Sequence, residues 1–193
     1  MSGWETYVRK VEPYVPGEQP KRKVIKLNTN ENPYPPSPRV QKVLDGFDAE
    51  ELRLYPDPEA ADLIEAIALE KGLSKDQIFV GVGSDDVLAM SFLTFFGSDK
   101  PILFPDITYS FYDVWAELFR IPYVQIPLQK DFRICIEDYK RENGGIVIPN
   151  PNAPTGIAES LDAIEEILKT NPDSVVIIDE AYVDFGTKSA LAL

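Results

Sequence analysis

The sequence predicts an α/β protein built on a mainly parallel β-sheet with helices on both faces. Three observations carry that prediction. The strand candidates are unbroken apolar runs rather than alternating patterns, as expected of strands buried on both faces. They alternate with segments of helical period. Several stop abruptly in Gly, Asn or Asp, and ligands on open parallel sheets sit beyond the carboxyl ends of the strands.

Taken in order, the first 38 residues read as an arm. Pro13, Pro16, Pro20, Pro33, Pro35, Pro36 and Pro38 leave no room for long helices there. A globular body is expected from Arg39. The segment 58–71 reads as a helix with Asp57 as N-cap, Pro58 in its first turn and Gly72 at its exit. Its expected apolar face is Leu63, Ile64, Ile67 and Ala68. Residues 77–83, QIFVGVG, read as a buried strand, and SDDVLAMSFLTFFG as a helix capped by Ser84 with Asp85 and Asp86 in its first turn. A strand is expected over 101–105. It leads into the helix SFYDVWAELFR, with Phe111, Val114, Trp115 and Leu118 inward. YVQIPL reads as a strand, IEDYKREN as a short helix and GIVIPN as a strand. ESLDAIEEILKT reads as a helix burying Ile164, Ile167 and Leu168, and SVVIIDEAY (174–182) as the last strand.

Composition excludes several kinds of chemistry. With 26% charged and 44% hydrophobic residues in 193, the chain has the balance of a globular domain with a core. Its formal charge of −13 repels phosphate backbones and argues against nucleic-acid binding. No apolar run reaches bilayer length, and the first residues lack a signal-type apolar stretch, so no membrane is expected. The one cysteine, Cys135, precludes an internal disulfide and fits a reducing, cytoplasmic setting. There is no histidine, so zinc sites and His-activated nucleophiles are not expected. Chemistry here must come from carboxylates, tyrosines, lysines or a borrowed cofactor.

The residues that follow the strands narrow the choice. Gly83 and Ser84 open a helix, whose free amides suit a phosphate, although such a pair also serves as a simple cap. Tyr109 can stack on a flat ring or fill a core. Asn150 and Asn152, stiffened by Pro151 and Pro154, can donate amide hydrogens, or form an ordinary rigid turn. Asp179 continues directly from an apolar strand, so it needs a cation: a neighbouring Arg or Lys, or a protonated heterocycle. Walker-type ATPase strands also end this way, but no P-loop precedes this one. Together, a phosphate nest, a stacking ring, an amide donor and a buried carboxylate describe a site for pyridoxal 5′-phosphate.

Six stretches reinforce this: LNTNENPYPPSP (27–38), LYPDP (54–58), VGVGSDDVL (80–88), TYSFY (108–112), NPNAPTG (150–156) and IIDEAYVDF (177–185). With them the chain resembles the N-terminal half of the fold-type I pyridoxal-phosphate aminotransferases, in the histidinol-phosphate aminotransferase branch. The resemblance implies a large-domain α/β fold and a homodimer with shared sites. It also implies transamination between histidinol phosphate and 2-oxoglutarate or glutamate, as in histidine biosynthesis. It implies that Ser84, Asp85 and Asp86 hold the cofactor phosphate and that Tyr109 stacks on the ring. Asp179 would pair with the ring nitrogen and Tyr182 would bond the phenolic oxygen. Tyr55 would reach the neighbouring subunit's cofactor, while Tyr14 and Asn30 in the arm would close over substrate. Other fold-type I enzymes (aromatic aminotransferases, threonine-phosphate decarboxylases) share these features, and a non-catalytic cofactor-binding subunit is a further alternative.

Two departures from the family pattern stand out. The family often reads Asn-Pro-Thr-Gly where this chain has Ala153 before Pro154, so Asn152 is expected to supply the amide. The Schiff-base lysine, in a Ser-Lys motif after the next strand, is expected downstream of Leu193. On this reading residues 1–38 are the arm and 39–193 a partial cofactor-binding domain, incomplete at its C-terminus and inactive alone. Two further family strands would then be missing beside 77–83, leaving open sheet edges. The last residues, GTKSALAL, read as the start of a helix.

Overall fold

The computed structural model describes residues 3–12, 15 and 17–193, except the side chain of Trp4. The chain divides into two compact units. One comprises the described residues of 1–14 together with Gly81–Leu193; the other is Val15–Val80. The division thus has two cuts, one between residues 14 and 15 and one between Val80 and Gly81.

The larger unit is built on a four-stranded, wholly parallel sheet. Its strands are β1 (Ile102–Pro105), β2 (Tyr123–Ile126), β3 (Gly145–Pro149) and β4 (Val176–Asp179), in the order β2-β1-β3-β4. Each expected strand from 101 onward is present. The one at 77–83 is not. Residues 75–77 form a 3-10 turn, 78–80 run without a ladder partner, and Phe79 and Val82 are 65% and 93% exposed. The physical reason is pairing: an apolar run becomes a strand only beside another strand, and among the described residues none flanks this one.

Strand side chains alternate between two core layers. Ile102, Phe104 and Val147 face one side, where they meet Leu88, Phe92, Tyr112 and Ala116. These last come from two helices, α3 (Ser84–Phe95) and α4 (Phe111–Phe119). Leu103, Ile146 and Ile148 face the other side, with Ile167 of α5 (Leu161–Thr170) and Tyr139 of the 3-10 turn Ile136–Tyr139. Helices on both faces are thus present as expected. The buried face of α4 is rotated from the expected one: Tyr112 and Ala116 are buried, whereas Phe111, Val114, Trp115 and Leu118 are half-buried. In α5, Ile164 and Ile167 are buried as expected, with Leu168 at the margin.

The unit Val15–Val80 holds two short helices numbered by chain position, α1 (Pro38–Asp45) and α2 (Ala61–Lys71). The N-terminus of α1 is capped by Ser37, with Pro38 in the first turn. Helix α2 starts later than expected because Ala60 is left-handed (φ 49°). Asp57 still serves the helix start, accepting from Glu59 N at 3.0 Å and Ala61 N at 2.7 Å. Gly72 closes α2 in the left-handed conformation, as expected (φ 69°). Of the expected apolar face only Ala68 is buried, and Leu63 is exposed. The end of the chain, 190–192, forms a 3-10 turn.

Candidate active site

Sheet register builds the site. Pro149 at the end of β3 lies opposite Asp179 at the end of β4. The ladder continues one step further, with Asn150 N donating to Asp179 O at 2.8 Å. At this carboxyl edge Ser84, Tyr109, Pro149, Pro151, Ala153, Asp179, Ala181 and Tyr182 line a cleft with about 380 Å³ of empty space, open to solvent. Four residues singled out from sequence, Ser84, Tyr109, Asp179 and Tyr182, therefore meet here, from three well-separated stretches of the chain.

Ser84, Tyr109 and Asp179 are each held by a distinct arrangement. Ser84 is the first residue of α3 rather than its cap. Gly83 takes the cap position with φ 85°, a conformation that favours glycine, and among the described residues no side-chain cap bonds the helix start. Among the described residues the first-turn amides thus meet no side-chain cap, and the helix dipole adds positive potential there. The two acids of that turn are engaged elsewhere. Asp86 Oδ2 accepts from Val82 N at 3.0 Å, and Asp85 Oδ1 accepts from the Tyr109 hydroxyl at 2.6 Å. Tyr109 is thereby tethered at the cleft wall, with its ring 5.5 Å from that of Phe111.

Asp179 is held through both carboxylate oxygens. Oδ2 accepts from the Tyr112 hydroxyl at 2.7 Å and Oδ1 from Ala181 N at 3.1 Å. Among the described residues no Lys or Arg nitrogen lies within 4.0 Å of it. The alternative of a local ion pair, open from sequence, is therefore not what holds this carboxylate. Tyr112 was not singled out from sequence. It is fully buried, and burial first, then the Asp179 charge, raises its phenol far above its ordinary range. The available signal was its place three residues after Tyr109, in the first turn of the helix that follows that residue.

The rigid turn after β3 uses its amides inward. Asn150, fully buried, accepts from Glu159 N at 2.7 Å and donates to Glu159 O at 3.4 Å, closing the loop. Asn152 donates to Ile107 O at 2.9 Å and accepts from Thr108 Oγ1 at 3.1 Å, joining the turn to the loop after β1. Ala153, not Asn152, lines the cleft. Tyr55 and Asn30 belong to the unit Val15–Val80; Tyr55 is fully exposed and Asn30 is left-handed (φ 50°). Tyr14 lies outside the described residues.

A stacking face, an anchored carboxylate, a phenol and an open helix start along one sheet edge suit a planar, basic, anionic ligand. The fold and this edge define an α/β domain with a cleft at the carboxyl end of a parallel sheet. The chain belongs to the aminotransferase class I and II family, whose sequence profile matches residues 22–193. It is 58% identical over 197 residues to a histidinol-phosphate aminotransferase of Acinetobacter baylyi, covering 100% of this chain and 55% of that protein. It is 57% identical to another of Lactococcus lactis subsp. cremoris, covering 98% and 54%. The chain thus spans about half the length of the curated relatives it matches. Among solved structures, the histidinol-phosphate aminotransferase of Sinorhizobium meliloti, in complex with pyridoxal-5′-phosphate, superposes with a TM-score of 0.76. That likeness, at 24% identity over 84% of this chain and 45% of the other, is one of fold.

Proposed function

We propose that this chain is the cofactor-binding portion of a pyridoxal 5′-phosphate-dependent aminotransferase that exchanges an amino group between histidinol phosphate and glutamate or 2-oxoglutarate. The observation that carries the cofactor reading is Asp179: a carboxylate fixed at both oxygens, facing a cleft, with no cation beside it among the described residues. The donor set suits the cofactor. The amides of Ser84, Asp85 and Asp86 take its phosphate, Tyr109 covers one ring face, Asp179 meets the ring nitrogen and Tyr182 the phenolic oxygen. Asn152 acts from behind, bracing the wall that Ala153 presents. When bound, the cofactor supplies a protonated pyridine that withdraws electrons from the reacting carbon. Asp179 keeps that nitrogen protonated, because the ion pair forms in a partly desolvated cleft.

The histidinol-phosphate assignment is supported by the relatives at 57–58% identity. With it come a homodimer, a cytoplasmic setting, an arm (1–38) whose Tyr14 and Asn30 close over substrate, and Tyr55 reaching the neighbouring subunit's cofactor phosphate.

Among the described residues no lysine lines the cleft; on this reading the residues named here hold the cofactor by non-covalent contacts, and the Schiff-base lysine belongs to the rest of the protein. Calorimetric titration with pyridoxal 5′-phosphate is expected to show one site, weakened about tenfold or more by Asp179→Asn. Borohydride treatment followed by mass measurement should leave the chain unmodified. Equal binding by the variant, or a stoichiometric adduct at one lysine, would sink the reading. At the level of the intact protein, turnover of threonine phosphate in place of histidinol phosphate would redirect the substrate assignment.

A further inference from the structure

We propose that Tyr112 is a positioning residue for recognition of the ligand's ring nitrogen, acting through Asp179; this rests on the cofactor reading above. Tyr112 does not line the cleft. Its phenol contributes by donating at 2.7 Å to Oδ2 of Asp179 while Ala181 N holds Oδ1. Two anchors on two different oxygens fix the plane of a carboxylate, and one anchor leaves it free to turn. The Tyr112 ring is itself immobilised. It is fully buried, stacks on Phe92 at 6.2 Å, and meets Phe104 at 5.7 Å and Tyr109 at 5.8 Å edge to face. The hydroxyl therefore cannot follow Asp179 if the acid turns away, and the acid is held where the core places it.

The site also has an internal symmetry. The first phenol of the 109–112 segment donates to Asp85 at the start of α3, and the second donates to Asp179 at the end of β4. One short segment thus braces acids at two places around the cleft. Burial and the neighbouring charge keep the Tyr112 phenol protonated, so it serves only as a donor to Asp179.

A purely structural Tyr112 would affect every ligand alike, whereas a positioning one affects only ligands with a ring nitrogen. The test compares two probes in the 193-residue chain: pyridoxal 5′-phosphate, and its deaza counterpart with C–H in place of the ring nitrogen. We expect the unmodified chain to prefer the nitrogen ring. Tyr112→Phe, which keeps the ring and its packing, should weaken pyridoxal phosphate about tenfold and leave the deaza probe unchanged. It should add no further loss on an Asp179→Asn background. Equal weakening of both probes, or of neither, overturns the role of Tyr112. An unmodified chain that binds neither probe, or both alike, overturns the cofactor reading and this inference with it. Should Tyr112→Phe not fold, the unmodified chain with 13C-labelled tyrosine serves instead. A buried-phenol resonance must then shift with pyridoxal phosphate and not with the deaza probe, and equal shifts overturn the proposal.

Discussion

Two buried tyrosines link this protein's stability to alkaline pH. The phenol of Tyr112 is raised by burial and by Asp179, and that of Tyr139 by burial and then by Asp106. A phenol raised in the folded state means that the native form holds protons the unfolded chain has already lost. The associated stability is complete below the ordinary tyrosine value of about 10 and declines as pH climbs beyond it. The urea midpoint should therefore fall between about pH 9.5 and 11, and Tyr112→Phe should make that fall shallower. An identical slope in the variant would show that Tyr112 does not carry the linkage. Tyr139 is the less comfortable of the two, because its hydroxyl is buried with no hydrogen-bond partner among the described residues. Sequence did not announce either residue. Both look like core aromatics, and only the fold places Tyr112 beside an acid 67 positions away.

The strands illustrate what local sequence can and cannot supply. β1 to β4 were legible because each is an apolar run between turn residues, and their neighbours are also in this chain. Residues 77–83 have the same look and form no strand, since a ladder needs a partner that composition cannot reveal. Helix α1 went unread inside a proline-rich stretch, although Ser37 and Pro38 formed a usable start signal. From sequence, Asp179 was placed at a strand end, where the cleft is found; what sequence did not show is that the Asn152 side chain bonds Ile107 and Thr108 in the loop after β1. The start of β3 offers a sharper test of packing. A Cβ on Gly145 would stand 2.3 Å from the ring of Phe96, at a φ of 149°. Gly145→Ala should thus force Phe96 or the strand to move, at a cost of about 1–3 kcal/mol. A denaturant midpoint unchanged from the parent would contradict this packing.

Across the whole chain, burial is concentrated in one of the two compact units. The fully covered apolar residues lie almost all within Gly81–Leu193, and Ala68 is the sole buried hydrophobic residue described between 15 and 80. Hydrogen exchange should follow that division. Amides of β1 and β3 are expected to be the slowest, and those of 38–53 to exchange within the earliest time points. Comparable protection in both regions would contradict the burial pattern.

One feature of α4 extends beyond stability and chemistry. From Tyr109 the aromatic contacts pass through Phe111 to Trp115 and on to Phe119, with centroids 5.5, 5.5 and 6.0 Å apart. A chromophore settling on Tyr109 would be separated by two rings, Tyr109 and Phe111, from an indole, one of only two in the chain. With Trp4 replaced by phenylalanine, the glow of the remaining indole would dim as the cleft fills, giving the molecule its own optical gauge of occupancy.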